Sequence, residues 1–481
     1  MGRMIYSVGN MAGGYFTLLT HDELERIHEI SLKILQEVGV KILSGKVQAL
    51  LAEWGAEVDS KHSIVKIPEM LVKEALRRAP KEIVLCGRDP KFDIKLPSKD
   101  IPFVATGGYT SFVRDIETGE RRASRMKDLR DFAVLSDFLD QVDFFWPIVA
   151  PTDLPPALQT VYGLAISFEC TSKHVQYMAL NERQARWQIK LASAIVGGEE
   201  KLRKRPIFSS VNCPVTPFVF EKGSSEAMIE LAKAGIPVIP YSMPLCGSTA
   251  PATIAGTLTI LNVENLAALV ILECANLGAP MIYGGEASSA DMRTAEINYK
   301  APEYPLLTAG ITQLGRFYGL PVYAGACWLN ETPKDWGMLI KGSISIALMH
   351  LGRQDISAGL GNVEDAKSSA LEQVILDAEA WAHAKAYLRT FKVDEDTLGF
   401  DVISRVGPGR TFLAEKHTLK HFREELWLRR EPVILPSTDN IVKVAKEKVK
   451  EILRMHTPTP LEGDVRREIE RILQQCKQEL I

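Results

Sequence analysis

The chain has 481 residues, 46% apolar and 24% charged, an ordinary balance for a globular protein. Its formal net charge of −3 offers no basic surplus, so a nucleic-acid partner is not expected. The seven cysteines are dispersed and form no CxxC pair, residues 1–23 hold no sustained apolar leader, and no run of about 18 apolar residues occurs; together these predict a cytoplasmic protein with reduced thiols and no membrane span.

Residues 21–38 (HDELERIHEISLKILQEV) put Leu24, Ile27, Ile30, Leu32, Ile34 and Leu35 on one helical stripe that Gly39 stops. A second helix is predicted over 68–79, ending before Pro80. KEIVLCG and KFDIKLP then alternate with period two, as strands of a small sheet do. Residues 1–100 thus read as an α+β extension that covers the next domain or joins two subunits.

From Val104 to Gly359, eight short apolar segments alternate with helix-like stretches. The strands are expected at 102–108, 142–150, 173–180, 206–212, 237–243, 280–285, 321–326 and 354–359. The helices are expected at 127–139, 156–172, 182–196, 222–234, 253–277, 303–318, 335–351 and 368–390. Pro206, Pro237, Pro280 and Pro321 open four of the strands, where proline ends the preceding helix at no cost to the strand. The eightfold rhythm predicts an α/β fold, a (β/α)8 TIM barrel over 101–392. Helix 253–277 is apolar on several faces, which predicts a homo-oligomer contact. Residues 393–481 read as a helical tail packed on the barrel, broken at Pro458 and Pro460.

On such a barrel the chemistry sits just past the strands' C-terminal ends. Those loops hold many glycines, more acids than bases, and the aromatics Tyr109, Tyr241, Tyr283, Tyr323, Trp328 and Trp336. Carboxylates beside aromatic faces make a cage for a cation, above all a quaternary ammonium, which donates no hydrogen bond. The expected substrate-binding residues are Tyr109, Tyr241, Glu286, Asp291, Trp328, Glu331 and Trp336. The plain alternative is that the acids are solvated caps and the tyrosines barrel core.

No GxGxxG follows a strand and no GxxxxGK[ST] occurs, so dinucleotide and P-loop readings lack support. His417 and His421 are spaced as helix-borne metal ligands, but no third ligand is evident and a structural pair is the better account. Cys246 and Cys327 follow strands 5 and 7 and read as small apolar residues before zinc ligands. His350 reads as structural, and Lys173-His174 opens strand 3 at the stability face. No metal site is expected.

Five blocks occur in order: LTHDELERIHEISLKILQEVGV, MPLCGSTAPATIAGTL, IYGGEASSADMRTAEINYKAPE, GLPVYAGACWLNETPKD and GPGRTFLAEKHTLKHFREELW. Together they resemble the trimethylamine methyltransferase family in its non-pyrrolysine branch, of which glycine betaine–corrinoid methyltransferases are the known type. The resemblance covers residues 18 to about 432. It implies a (β/α)8 barrel that moves a methyl group from a methylated amine to the Co(I) of a separate corrinoid protein. The chain itself would bind no cofactor tightly, and Gly107, Gly108, Asn212, Ser248, Thr249 and Gly359 would face the corrinoid. By similarity the pyrrolysine position falls at or next to Pro333, where no residue forms a covalent amine adduct, so trimethylamine is not the implied substrate. A betaine- or carnitine-like quaternary amine is.

The chemistry agrees with that implication. A quaternary nitrogen leaves as a neutral amine, so the barrel needs only to desolvate and aim one N-methyl group, with no catalytic acid, base or metal of its own. Two other readings stay open: a zinc-dependent corrinoid methyltransferase using Cys246, Cys327 and a histidine, and a non-catalytic quaternary-ammonium-binding protein.

Overall fold

The computed structural model describes residues 11–12, 15–98, 101–294, 296–426, 435 and 440–481. Trp427, the end of the C-terminal block, and residues 428–432, the end of the span the resemblance covers, lie outside them. The chain is a mixed α/β protein of helices and parallel strands. The core strands are β1 (Phe103–Thr106), β2 (single bridges at Phe144 and Phe145), β3 (Val175–Tyr177), β4 (Phe208–Val211), β5 (Val238–Ile239), β6 (Tyr283–Gly285), β7 (Val322–Ala326) and β8 (Ile356–Leu360).

Every neighbouring pair is parallel. Bridges Ala105↔Phe144 and Phe145↔Val175 join β1 to β2 and β2 to β3, and ladders join β3–β4–β5. Val238↔Met281 joins β5 to β6, ladders join β6–β7–β8, and β8 pairs in parallel with β1. The prolines fit this ladder because each lacks only a donor: the carbonyls of Pro237, Pro280 and Pro321 accept from Ser210, Val238 and Tyr283 at 2.9–3.0 Å.

Between the strands run α1 (Met126–Phe138), α2 (Pro156–Cys170), α3 (Glu182–Val196), α4 (Lys222–Ala234), α5 (Ile254–Ala275), α6 (Glu303–Phe317), α7 (Trp336–His350) and α8 (Leu371–Leu388). Sequence reasoning missed the short helix Glu199–Lys204 after α3.

The first hundred residues do two jobs. Helices His21–Lys33, Gly45–Glu53 and Glu69–Arg78 pack on α5. Thr20 caps the first of them in a capping box with Glu23, and its last turn widens into a π-turn at Ile34–Val38. The apolar faces of α5 that suggested a contact between copies are therefore covered within the chain. Among the described residues α5 is the one helix long and apolar enough to cross a membrane, and 72% of its apolar window is buried in protein. Its buried asparagines are satisfied there: Asn262 bonds Ser31, Tyr318 and Tyr283, and Asn265 bonds both backbone groups of Gly284.

The antiparallel hairpin Ile83–Leu85/Ile94–Leu96 fills one end of the strand assembly. Its inward residues Ile83, Leu85, Ile94 and Leu96 share one cluster with Ala105, Phe144, Val211, Ile239, Ile282 and Ile356. His174 fastens this end, its ring nitrogens bonded to the Cys86 carbonyl (3.0 Å) and Ser209 Oγ (2.9 Å). With that end plugged, the strands' C-terminal end is the open one. In the tail, helix Ile441–Met455 buries Ile441, Ala445, Val449 and Ile452 with residues of α1 and α8, and Gly463–Leu480 buries Ile469, Ile472 and Cys476 against α2 and α3.

Candidate active site

A cavity of about 580 Å³ opens at the C-terminal ends of the strands. Its aromatic wall comes from four places. Tyr323 lies within β7, Tyr241 follows β5, Trp146 follows β2 and Trp328 follows β7. Tyr241 and Tyr323 stand 4.9 Å apart, and Trp146 meets them edge-on at 6.0 and 6.1 Å. These three also belong to the cluster that runs down to the plugging hairpin, so the cavity floor is continuous with the core.

Across from them, Trp328 and Tyr299 meet at 5.0 Å and 88°. Tyr299 arrives on a fold-back: Ser288–Ala290 pairs antiparallel with Ile297–Asn298, which returns the chain to the cavity. Glycine makes the close packing of β6 possible, since a Cβ on Gly284 would lie 1.9 Å from the Tyr323 carbonyl oxygen.

Glu286, one residue past β6, is the acid of this cage. It is buried, and it accepts from Tyr304 Oη and, at 3.4 Å, from Tyr241 Oη. Burial raises its pKa, and the two tyrosine hydroxyls pull the other way. Burial and the nearby Glu286 push Tyr241, Tyr299, Tyr304 and Tyr323 well above their ordinary range, so they remain neutral donors. The site therefore has a carboxylate that two hydroxyls hold in place and several π-faces around it, an arrangement that suits a desolvated cation.

Two further acids hold the walls. Glu264 of α5 is fully buried and accepts from Phe218 N (2.8 Å), Thr216 Oγ1 (3.0 Å) and Ser242 Oγ. It thereby fixes the β4–α4 loop that supplies Cys213, Pro214 and Val215 to the cavity. Asp377 of α8 accepts from Leu329 N (2.9 Å), Gly361 N (2.8 Å) and Gln373 Nε2 (2.8 Å), tying the loops after β7 and β8 together. Burial lifts its pKa to about 7.

Of the residues expected from sequence, Tyr109, Tyr241, Glu286 and Trp328 line this cavity, as do Gly108, Asn212 and Gly359. The Asn212 amide bridges strand ends, donating to the Ala179 carbonyl at 2.9 Å and accepting from Ser210 Oγ at 2.8 Å.

The others stand elsewhere. Asp291 closes the hairpin turn, its Oδ1 accepting from Arg293 N and Thr294 N. Glu331 is exposed and ion-paired with Lys300. Trp336 begins α7 and packs edge-on against His383 at 6.0 Å. Gly107 lies beneath Trp146, where a Cβ would come within 2.7 Å of the indole ring. Ser248 is exposed in a turn, and Thr249 Oγ1 accepts from Leu245 N at 2.9 Å. Pro333 is buried and does not line the cavity.

Sequence reasoning missed Trp146, Tyr299, Tyr304, Cys213 and Glu264. Cys213 presents its surface to the cavity, and burial beside Glu264 and Glu286 pushes its thiol up to about 12.

The metal-ligand candidates do not meet here. Cys327 is buried in the cluster that also contains Leu339 and Ile346 of α7 and Val374 of α8, whereas Cys246 sits in a short ladder with Ser288–Ala290. Asp396 joins His417 and His421 in the tail, but Lys420 Nζ already occupies its carboxylate at 2.5 Å and His417 Nε2 bonds its carbonyl at 2.8 Å.

Against known proteins, the trimethylamine methyltransferase (MTTB) family model matches residues 8–480. The chain belongs to the trimethylamine methyltransferase family. A trimethylamine methyltransferase of Desulfitobacterium hafniense is 32% identical over 464 residues, 95% of this chain and 93% of the relative. Another, from Methanosarcina barkeri, is 29% identical and covers 96% of this chain and 95% of its own. A glycine betaine methyltransferase of Desulfitobacterium hafniense is 28% identical over 415 residues, 86% of each chain. Among solved structures, a dihydropteroate synthase of Coxiella burnetii is similar with a TM-score of 0.37 and 13% identity, covering 63% of this chain and 99% of its own. This trimethylamine methyltransferase family member thus carries its aromatic, acid-bearing cavity within the part of the chain the family shares.

Proposed function

We propose that this chain transfers a methyl group from a quaternary amine to the Co(I) of a separate corrinoid protein, within a closed (β/α)8 barrel. The cycle of parallel pairings from β1 round to β8 and back to β1 supports the barrel. The observation that carries the function is the Glu286 cage: a buried carboxylate among Trp146, Tyr241, Tyr299, Tyr323 and Trp328 at the open end.

In this reading the π-faces and Glu286 replace water around the trimethylammonium head and fix one N-methyl group toward the mouth. The corrinoid on its partner supplies the nucleophile. The N–CH3 bond breaks with its electron pair going to nitrogen, a neutral tertiary amine leaves, and no residue of this chain gains or loses a proton. Leu180, Val215 and Met243 are exposed and line the cavity, giving the mouth an apolar rim for the partner. The trimethylamine and glycine betaine methyltransferases among its relatives act on methylated nitrogen, which supports the reaction class. The seven free cysteines suit the reducing cytoplasm in which Co(I) would persist.

The test mixes purified protein, reduced corrinoid protein and a panel of quaternary amines, and follows the cobalt spectrum. Conversion to methyl-Co(III) with release of one tertiary amine supports the proposal. Tight amine binding without cobalt methylation would leave a binding protein instead.

A further inference from the structure

The charged groups on the cavity wall are all of one sign. Glu221 and Glu286 line it, and among the described residues no lysine, arginine or histidine does. Three cations on the loops beyond the strands' C-terminal ends are held in ion pairs. Lys300 pairs with Glu331, Arg114 with Glu364, and Lys367 with Glu296 at 2.8 Å.

A zwitterionic betaine would bring its carboxylate into this wall with no counter-charge among the described residues to meet it. A cavity of about 580 Å³ has a radius of only about 5 Å, so a carboxylate attached to a caged ammonium stays within roughly 8 Å of Glu286. At an effective dielectric of about 20, repulsion over that distance weakens binding roughly 30-fold. The buried donors without a partner on this wall are neutral: the hydroxyls of Tyr109 and Tyr323 and the indole N–H of Trp146. Trp146 Nε1 is buried, lacks a partner, and belongs to a side chain on the cavity floor. Neutral N–H and O–H groups suit a hydroxyl, ether or carbonyl oxygen, and they do not supply the counter-charge that a carboxylate needs in a low-dielectric site.

From this we infer that the substrate carries a net positive charge: a quaternary ammonium whose fourth substituent is neutral, such as a hydroxyalkyl group, and not a betaine with a carboxylate. The inference rests on the quaternary-amine reading of the site and narrows it.

The experiment is a calorimetric titration of the purified chain with choline and with glycine betaine, which share the trimethylammonium head and differ at the far end. The same titrations follow on Glu286→Gln, with circular dichroism to establish that the variant is folded. Choline binding at least 10-fold tighter than glycine betaine, with the gap shrinking in Glu286→Gln, supports the inference. Glycine betaine binding as tightly as choline overturns it while leaving the quaternary-amine reading intact. Binding of neither, together with binding of the uncharged isostere 3,3-dimethylbutanol, overturns that reading and this inference with it.

Discussion

Replacing Trp328 with alanine separates substrate capture from folding. The indole is 8% exposed, stands edge-on to Tyr299 at 5.0 Å, and packs in a small cluster with Tyr304 and Ala326. A tryptophan buried on all sides costs about 3–5 kcal/mol when truncated. One side of Trp328 already borders the cavity, so mainly its contacts with Tyr299 and Tyr304 are lost, and about 1–3 kcal/mol is expected. That lowers the melting temperature by a few degrees. On the binding side, a desolvated cation–π contact is worth about 2 kcal/mol, so affinity for a quaternary amine and kcat/KM should fall about 30-fold. Trp328→Phe keeps a π-face and should recover much of that loss. Calorimetry, methyl-transfer kinetics and thermal melting on the three proteins decide it. A lowered melting temperature with unchanged affinity and kcat/KM would refute a role for Trp328 in the cage.

Two more expectations concern the frame around the cage. Glu264→Leu strips the acceptor from Phe218 N, Thr216 and Ser242, and at about 1–3 kcal/mol per stranded buried donor, less the relief of removing a buried carboxylate, it should destabilise by about 2–4 kcal/mol and raise KM as the β4–α4 wall loosens; a variant that melts and binds as the parent does would sink this assignment. His174 and His350 are fully buried, and burial lowers both to about 4 from 6.5. The unfolded chain therefore binds more protons between those values, so stability present above pH 6.5 is lost as pH falls toward 4, by up to about 3 kcal/mol per histidine. Melting curves from pH 7.5 to 4 should show this decline, and His350→Gln should make it shallower; an equal slope in the variant would contradict it.

The fold was legible because its signal repeats. Each α/β joint carries a proline, a glycine stop or a change of hydrophobic period, and the eight predicted strands fall on the paired segments within a few residues. The site was legible only where a residue follows a strand directly, as Tyr241, Glu286 and Trp328 do. Trp146 lies in the apolar run VDFFWPIVA, in which periodicity cannot say which ring turns inward. Tyr299 depends on a hairpin that folds back over several residues, a tertiary event with a weak local signature.

The loop acids misled because charge alone does not say which way a loop side chain turns. Asp291 begins Asp-Met-Arg-Thr, and aspartates that bond their own backbone two residues on are turn formers. That signal could have assigned it to the turn. Glu264 was hidden by its helix: an acid in an apolar stretch carries no local sign of what it holds, yet it anchors the wall of the cavity.

We propose that the cage at the open end presents a quaternary methyl group to an external Co(I). This transfer is tested most directly by the visible spectrum of a reduced corrinoid protein mixed with this chain and a quaternary amine that it binds. Loss of the Co(I) band, growth of the methyl-Co(III) band and release of one equivalent of tertiary amine are expected, all abolished without the chain. An unchanged Co(I) spectrum in the presence of a tightly bound quaternary amine would contradict it.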